Sequence, residues 1–213
     1  MAVDGREEFE YTARRSSSLW VSTLHDSGKA MNLILLGAPG SGKGTQSARL
    51  LERYGLAHIS TGDILRAAVR DMTPLGREAD TYMKAGKLVP DEVVIGLVEE
   101  RLGQPDAQRG FLLDGFPRTT AQADALGTLI TRMGLKLDRV ILLDVGTEEL
   151  VTRLKGRGRA DDTDEAVRTR LKIYEDQTQP LIQYYSDRGF LTRVEGSGEV
   201  DAITQRVLEA LGA

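Results

Sequence analysis

From Met31 onward the apolar residues follow two rhythms. Short unbroken runs, Leu33-Ile34-Leu35-Leu36, Phe111-Leu112-Leu113 and Val140-Ile141-Leu142-Leu143, read as strands buried on both faces. A strand with one wet face would alternate apolar and polar residues instead. His58-Ile59-Ser60 reads as a shorter strand, and a last one falls near 190–194. Between the runs the pattern is helical. It predicts helices over about 62–71, 74–85, 91–102, 119–133 and 147–155, another over 43–54, a long one over 163–187 broken at Pro180, and a final one over 199–211. Thr73 and Pro74 supply an N-cap and a first helical residue. Alternation of this kind predicts an α/β fold, a parallel sheet with helices on both sides. No repeat or linker interrupts 31–213, which reads as one domain.

Residues 1–30 break the pattern. They carry five acids, four bases and the run Ser16 to Ser18, with no sustained period. The Arg14-Arg15 pair has no apolar stretch after it, as an export signal would need. The segment reads as a disordered N-terminal extension, or as the product of an upstream start codon, with Met31 as the functional beginning. Leu19-Trp20-Val21 leaves room for a short amphipathic contact.

Composition narrows the function classes. Lys and Arg total 28 against 32 Asp and Glu, a net charge of −4, which argues against a nucleic-acid binder. No run approaches the ~18 apolar residues of a membrane span. With no Cys there is no disulfide framework, thiolate metal site or Cys nucleophile, and two His leave little for a His-rich metal site. The balance is that of a cytoplasmic protein.

The strongest chemical signal is Gly37-Ala38-Pro39-Gly40-Ser41-Gly42-Lys43-Gly44-Thr45. It follows a buried strand and opens a helix. Glycines let backbone N–H groups converge on phosphate oxygens, the helix N-terminus adds partial positive charge, and Lys43 reaches the terminal phosphates. The residue after the Lys is usually Ser or Thr and holds Mg²⁺. Here it is Gly44, and the hydroxyl comes one place later on Thr45, so a metal would be held through water. A dinucleotide fold is disfavoured, because its glycine motif has no such Lys.

Two further segments, Ile59-Ser60-Thr61-Gly62-Asp63-Ile64-Leu65-Arg66 and Phe111-Leu112-Leu113-Asp114-Gly115-Phe116-Pro117-Arg118, follow in order. With the loop they make residues 31–213 closely resemble the adenylate kinase family. The resemblance implies a P-loop kinase fold with a five-stranded parallel core, a helical AMP-binding insert at about 60–89, and a lid at about 156–163. It implies the reaction ATP + AMP ⇌ 2 ADP with Mg²⁺, on a monomer whose partners are ATP, AMP and ADP. In that frame Gly40, Ser41, Gly42, Lys43, Gly44 and Thr45 wrap the ATP phosphates. Arg153 and Arg157 flank the ATP base and phosphates, and backbone near Gly196 touches the base. Thr61 and Arg66 meet AMP, with Lys87, Leu88 and Val89 lining its cleft. Gly115, Phe116, Pro117 and Arg118 hold its phosphate, and Gln122 reads the adenine edge. Arg118, Arg159 and Arg170 converge with Lys43 on the transferring group, and Asp114 orients Mg²⁺ through water. The long-lid members insert a small domain, sometimes clasping zinc, between the two arginine motifs. Here Gly156-Arg157-Gly158-Arg159-Ala160-Asp161-Asp162 joins them directly, which resembles the short-lid form, and the absence of Cys rules out a zinc lid.

The residues read alone support part of this. Arg153, Lys155, Arg157 and Arg159, with Gly at 156 and 158, make a cationic flap in an acidic protein, or a solvated basic loop. Thr119 and Gln122 form a Thr-x-x-Gln capping box, which competes with a base-reading role for the same amide. Asp144 also ends an apolar strand, but Gly115 and Pro117 give Asp114 the more exposed turn. Asp63 suits an N-cap, His58 a packed strand end, and Tyr184-Tyr185 the packing of the last helices. Two alternatives stay open: a related kinase taking UMP or CMP, or using GTP, and a P-loop protein that binds nucleotide without transfer.

Overall fold

The computed structural model describes residues 30–157 and 163–212. Most of 1–30, and the lid residues from Gly158 to Asp162, therefore lie outside the described residues.

Strand β1 (Asn32–Leu36) is buried at every position. It pairs in parallel with β3 (Phe111–Asp114) on one side and β4 (Arg139–Asp144) on the other. β2 (Ala57–Ser60) and β5 (Leu191–Glu195) complete the all-parallel order β2-β3-β1-β4-β5. β1 shows why the run is unbroken. Ile34 and Leu36 enter one apolar cluster, Leu33 and Leu35 another, on opposite faces of the sheet. Helices α4 (Asp91–Leu102), α5 (Thr120–Arg132) and α8 (Pro180–Asp187) cover the first face, α1 (Lys43–Tyr54) and α9 (Val200–Leu211) the second. Each wholly buried Leu contributes about 1.5–3 kcal/mol relative to exposure, so both faces select apolar residues from Leu33 to Leu36.

Two short helices, α2 (Thr61–Arg70) and α3 (Pro74–Lys84), stand between β2 and α4 as an arm. They cross closely. A Cβ on Gly76 would lie 1.9 Å from the carbonyl oxygen of Ala68, so only glycine fits there. Thr73 caps α3 as its sequence predicts, its hydroxyl accepting from Gly76 N–H at 3.0 Å. At α2 the cap is Ser60 rather than Asp63. Ser60 accepts from Asp63 N–H, which leaves the Asp63 carboxylate for Arg66.

α6 (Thr147–Arg157) follows β4. The long helix expected over 163–187 is three pieces: α7 (Asp164–Ile173), a π-helical turn over Tyr174–Thr178, and α8. Pro180 has no N–H to continue the i→i−4 ladder, and the wide turn before it absorbs the break. Tyr185 packs into the core as expected, and burial pushes its hydroxyl pKa up.

Candidate active site

All five strands point their C-terminal ends the same way, and a cleft of about 940 Å³ opens beside that edge of β1, β2 and β3. In parallel α/β sheets this is where loops leave room for a ligand.

The floor is the loop between β1 and α1. Gly40 stands at φ +87°, in the left-handed region, and a Cβ there would meet Leu154 Cγ at 2.9 Å and the Leu150 carbonyl at 3.1 Å. Helix α1 starts from Gly42 with no side-chain cap and no acid in its first turn. Lys43, Gly44 and Thr45, which carry its leading N–H groups, line the cleft, where an anion could satisfy those groups. Lys43 Nζ donates to the carbonyls of Gly37 at 2.7 Å and Ala38 at 3.0 Å.

The opposite wall is cationic. Arg66, Arg118 and Arg170 all line the cleft. Arg118 Nε donates to the Gly115 carbonyl at 2.7 Å. Burial is the largest influence on its guanidinium and pulls its pKa below the ordinary arginine value. Asp114 opposes this, and the charges of Arg170 and Arg66 reinforce it. Arg118 therefore feels both neighbouring cations, an arrangement that a bound polyanion would relieve. Arg66 also pairs with Asp63 at 2.5 Å. Burial works to raise the Asp63 pKa, but hydrogen bonds from Arg66 and Ser60, with the Arg66 and His58 charges, hold it below the usual carboxylate value. Arg170 donates to the Met83 carbonyl at 3.2 Å, tying α7 to the end of the arm.

Thr61 is buried and its hydroxyl donates to the Gly115 carbonyl at 3.0 Å. Lys87, Leu88 and Val89 line the cleft beside it. The capping box at α5 forms by half. Thr119 accepts from Gln122 N–H, but the Gln122 carboxamide oxygen takes the N–H of Arg118 rather than of Thr119. Its amide nitrogen donates to Asp91 at 2.6 Å, while Gln122 still lines the cleft. The side-chain half of the capping box is therefore not made, and the carboxamide borders the cleft instead.

Asp114 ends β3 in the cleft, level with Ser60 and Leu35 on the neighbouring strands. The rival strand-end acid, Asp144, is exposed and bonds Arg193 at 3.1 Å. Among the described residues no group of three or more His, Asp or Glu could hold a metal ion. A single carboxylate with the Thr45 hydroxyl fits a Mg²⁺ carried by phosphates and water, the ion's usual mode.

The remaining expected residues are placed unevenly. Arg153 bridges three elements: it donates to the Gly196 carbonyl at 2.9 Å and the Ser41 carbonyl at 3.5 Å, and pairs with Glu149. Gly196 accepts from Arg153 but is not among the residues that line the cleft, whereas Gly198 is. Phe116 is buried in the core beneath, and Pro117 lines a smaller cavity of about 80 Å³ behind the loop. Arg157 ends α6, and Arg159 lies outside the described residues.

Three supporting residues escaped the sequence reading. Glu149 holds Arg153, and its i, i+4 spacing was a usable signal. A hydrogen bond from Ser197 most of all, helped by Arg153 and the Gly198 N–H, keeps its carboxyl below the ordinary value although desolvation works to raise it. Thr178 donates to the Arg118 carbonyl at 2.9 Å from the π turn, a contact without local signature. Asp91, at the start of α4, is the third.

Comparison with known proteins supplies a family. A family model described as adenylate kinase matches residues 35–190. Adenylate kinase of Stenotrophomonas maltophilia strain K279a is 54% identical over 187 residues, covering 86% of this chain and all of that protein. The one from Xanthomonas campestris pv. campestris strain 8004 is 52% identical over 186 residues, covering 85% and 100%. That of Geobacter sp. strain M21 is 50% identical over 214 aligned positions, covering 86% and 100%. The longer alignment for the same share of this chain means that the Geobacter protein carries inserted residues with no counterpart here.

Proposed function

Since this chain belongs to the adenylate kinase family, we propose that its cleft carries out phosphoryl transfer between ATP and AMP with the loop 40–45 as donor cradle and the arginine wall as acceptor side. The observation that carries this division is the meeting of an uncapped helix start and Lys43 with Arg66, Arg118 and Arg170 around one cavity. The nucleophile is an oxygen of the AMP phosphate. It bears no proton that must be removed, so the chemistry asks for positioned cations rather than a base. The bond from the γ-phosphorus to the β,γ-bridging oxygen breaks as the bond to the AMP oxygen forms, and the electron pair stays on ADP. Lys43 exchanges its contacts with the loop carbonyls for β/γ-phosphate oxygens. Arg118 and Arg170 take charge on the moving group, with Arg159 joining from the lid, while Arg66 holds the AMP phosphate. Each preorganised donor of this kind contributes roughly 10²–10³ in rate.

Mg²⁺ bound with ATP supplies charge neutralisation at the phosphates; Asp114 would hold it through water, beside the Thr45 hydroxyl. Thr61 and Gln122 face the acceptor base, and Arg153, Arg157 and the Gly196 backbone the donor base. The direct link between α6 and α7 reads as a short lid without zinc, supported by the likeness in length to the Stenotrophomonas protein. A monomer in the cytoplasm, with residues 1–30 as an extension, completes the reading; among the described residues no helix is long and apolar enough to cross a membrane.

A coupled ADP-release assay over nucleotide pairs tests it. AMP should be taken well ahead of UMP and CMP, and EDTA should abolish turnover that Mg²⁺ alone restores. Comparable kcat/KM for UMP and AMP would move the assignment to a pyrimidine kinase.

A further inference from the structure

We propose that Asp91 is a positioning residue for acceptor selectivity: from the start of α4 it locks the orientation of the Gln122 carboxamide at the start of α5, so that the site accepts a 6-amino purine and refuses a 6-oxo one. This rests on the reading above that Gln122 meets the acceptor base.

Gln122 is 2% exposed, and its carboxamide is gripped on two sides. Its oxygen accepts from the Arg118 backbone N–H at 2.7 Å, and its nitrogen donates to Asp91 Oδ1 at 2.6 Å. A backbone N–H can only donate and an ionised carboxylate can only accept. The network therefore has one solution. A half-turn of the amide would set N–H against N–H and oxygen against carboxylate, leaving four polar groups buried and mismatched.

One N–H and one oxygen lone pair of the carboxamide remain for a ligand. Adenine offers its amino N–H and, next to it, the unprotonated N1. Hypoxanthine offers the same two positions with polarity reversed, a carbonyl oxygen and N1–H. An amide free to turn over would fit either edge. An amide held as this one is fits only the first. Asp91 is not among the residues lining the cleft, so its influence on the base passes through Gln122. The plain alternative is an acid in the first turn of α4 that merely favours the helix N-terminus.

The test is kcat/KM for AMP and for inosine monophosphate (IMP), with saturating ATP, on the full chain. The parent should prefer AMP strongly. Asp91→Ala should lower the AMP/IMP ratio by about tenfold or more, because a site that hydrogen-bonds one edge owes its discrimination to groups that cannot re-pair. Its KM for ATP should stay within about twofold, the two sites being separate. Asp91→Asn still offers an oxygen to the Gln122 amide and should keep the ratio within about threefold of the parent. Gln122→Ala should also collapse the ratio, and adding Asp91→Ala to it should change the ratio little further. Should Asp91→Ala fail to fold, Asp91→Ser suits the helix start but is too short to reach the amide, and gives the same reading. If Gln122→Ala collapses the ratio while Asp91→Ala or Asp91→Ser leaves it at the parent value, Asp91 is a helix-start acid and the proposal is overturned. If Gln122→Ala itself leaves the ratio and the AMP KM unchanged, or the parent uses both nucleotides equally, the base-site reading falls and the proposal with it.

Discussion

On the donor side, phosphate would be held by six consecutive residues, Gly40 to Thr45, whose useful groups are backbone N–H and one lysine. On the acceptor side the same task would fall to side chains from three places, Arg66 on α2, Arg118 before α5 and Arg170 on α7, with Gln122 of α5 beside them in the cleft. A backbone cradle is complete once one turn and one helix start have formed. A side-chain wall exists only when an arm, two helices and a π turn have packed. The donor side should therefore be sensitive at Lys43 and tolerant at exposed side chains around it, whereas the acceptor side should be sensitive both at its cations and at whatever aligns them.

Lys43→Met tests the comparison most severely. It removes the one charge that the loop adds to its own N–H groups, where charge shifts during transfer, and kcat should fall by on the order of 10²-fold or more. Steady-state kinetics should show a smaller change in the KM for either nucleotide. Arg66→Ala comes next. It removes binding shared by ground and transition states, so the KM for AMP should rise by about tenfold, with the KM for ATP nearly unchanged and kcat spared more than in Lys43→Met. A rise in the ATP KM instead would reverse the two sides.

Gly76→Ala attacks the arm without touching a nucleotide. Its Cβ meets the Ala68 carbonyl, so α2 and α3 must separate. Overpacking of this kind costs about 1–3 kcal/mol. In a chain of this size that lowers Tm by roughly 2–4 °C per kcal/mol, read by calorimetry, and the AMP KM should rise while the ATP KM holds. Unchanged AMP binding would mean that the acceptor wall does not depend on the arm's packing. The smallest effect is expected on the donor side at Glu149. Glu149→Gln weakens a half-buried pair whose Arg153 keeps its carbonyl partners, and should raise the ATP KM less than about fivefold. Because the Glu149 carboxyl sits below its ordinary value through Ser197 and Arg153, the contribution of this strap is fully present above the usual carboxylate range. It is lost only as pH falls through the lowered value. The ATP KM of the parent and of Glu149→Gln should thus keep a constant ratio from pH 8 to about pH 6.

The lysine-bearing loop was plain in the linear order because its chemistry lies in neighbouring residues. The strands were plain for a related reason: burial on both faces leaves no polar position, and β1 is apolar from Leu33 to Leu36. Boundaries were harder where two caps compete, and Ser60 rather than Asp63 starts α2 since its hydroxyl reaches the N–H of Asp63. The π turn over Tyr174–Thr178 left no mark apart from Pro180, and the hydrogen bond that Thr178 makes from it to the Arg118 carbonyl has no local signature.

The sequence by itself determined the layered α/β plan, the five strands and the phosphate loop, because hydrophobic period and glycine placement are local consequences of burial and backbone geometry. Only the tertiary structure decided which way the Gln122 amide faces, which strand-end acid stands in the cleft, and what holds Arg118 and Arg153 in place. Apart from the local Arg118–Gly115 and Glu149–Arg153 contacts, those depend on bonds between residues up to 112 positions apart, and neither end of such a distant bond signals its partner in the chain.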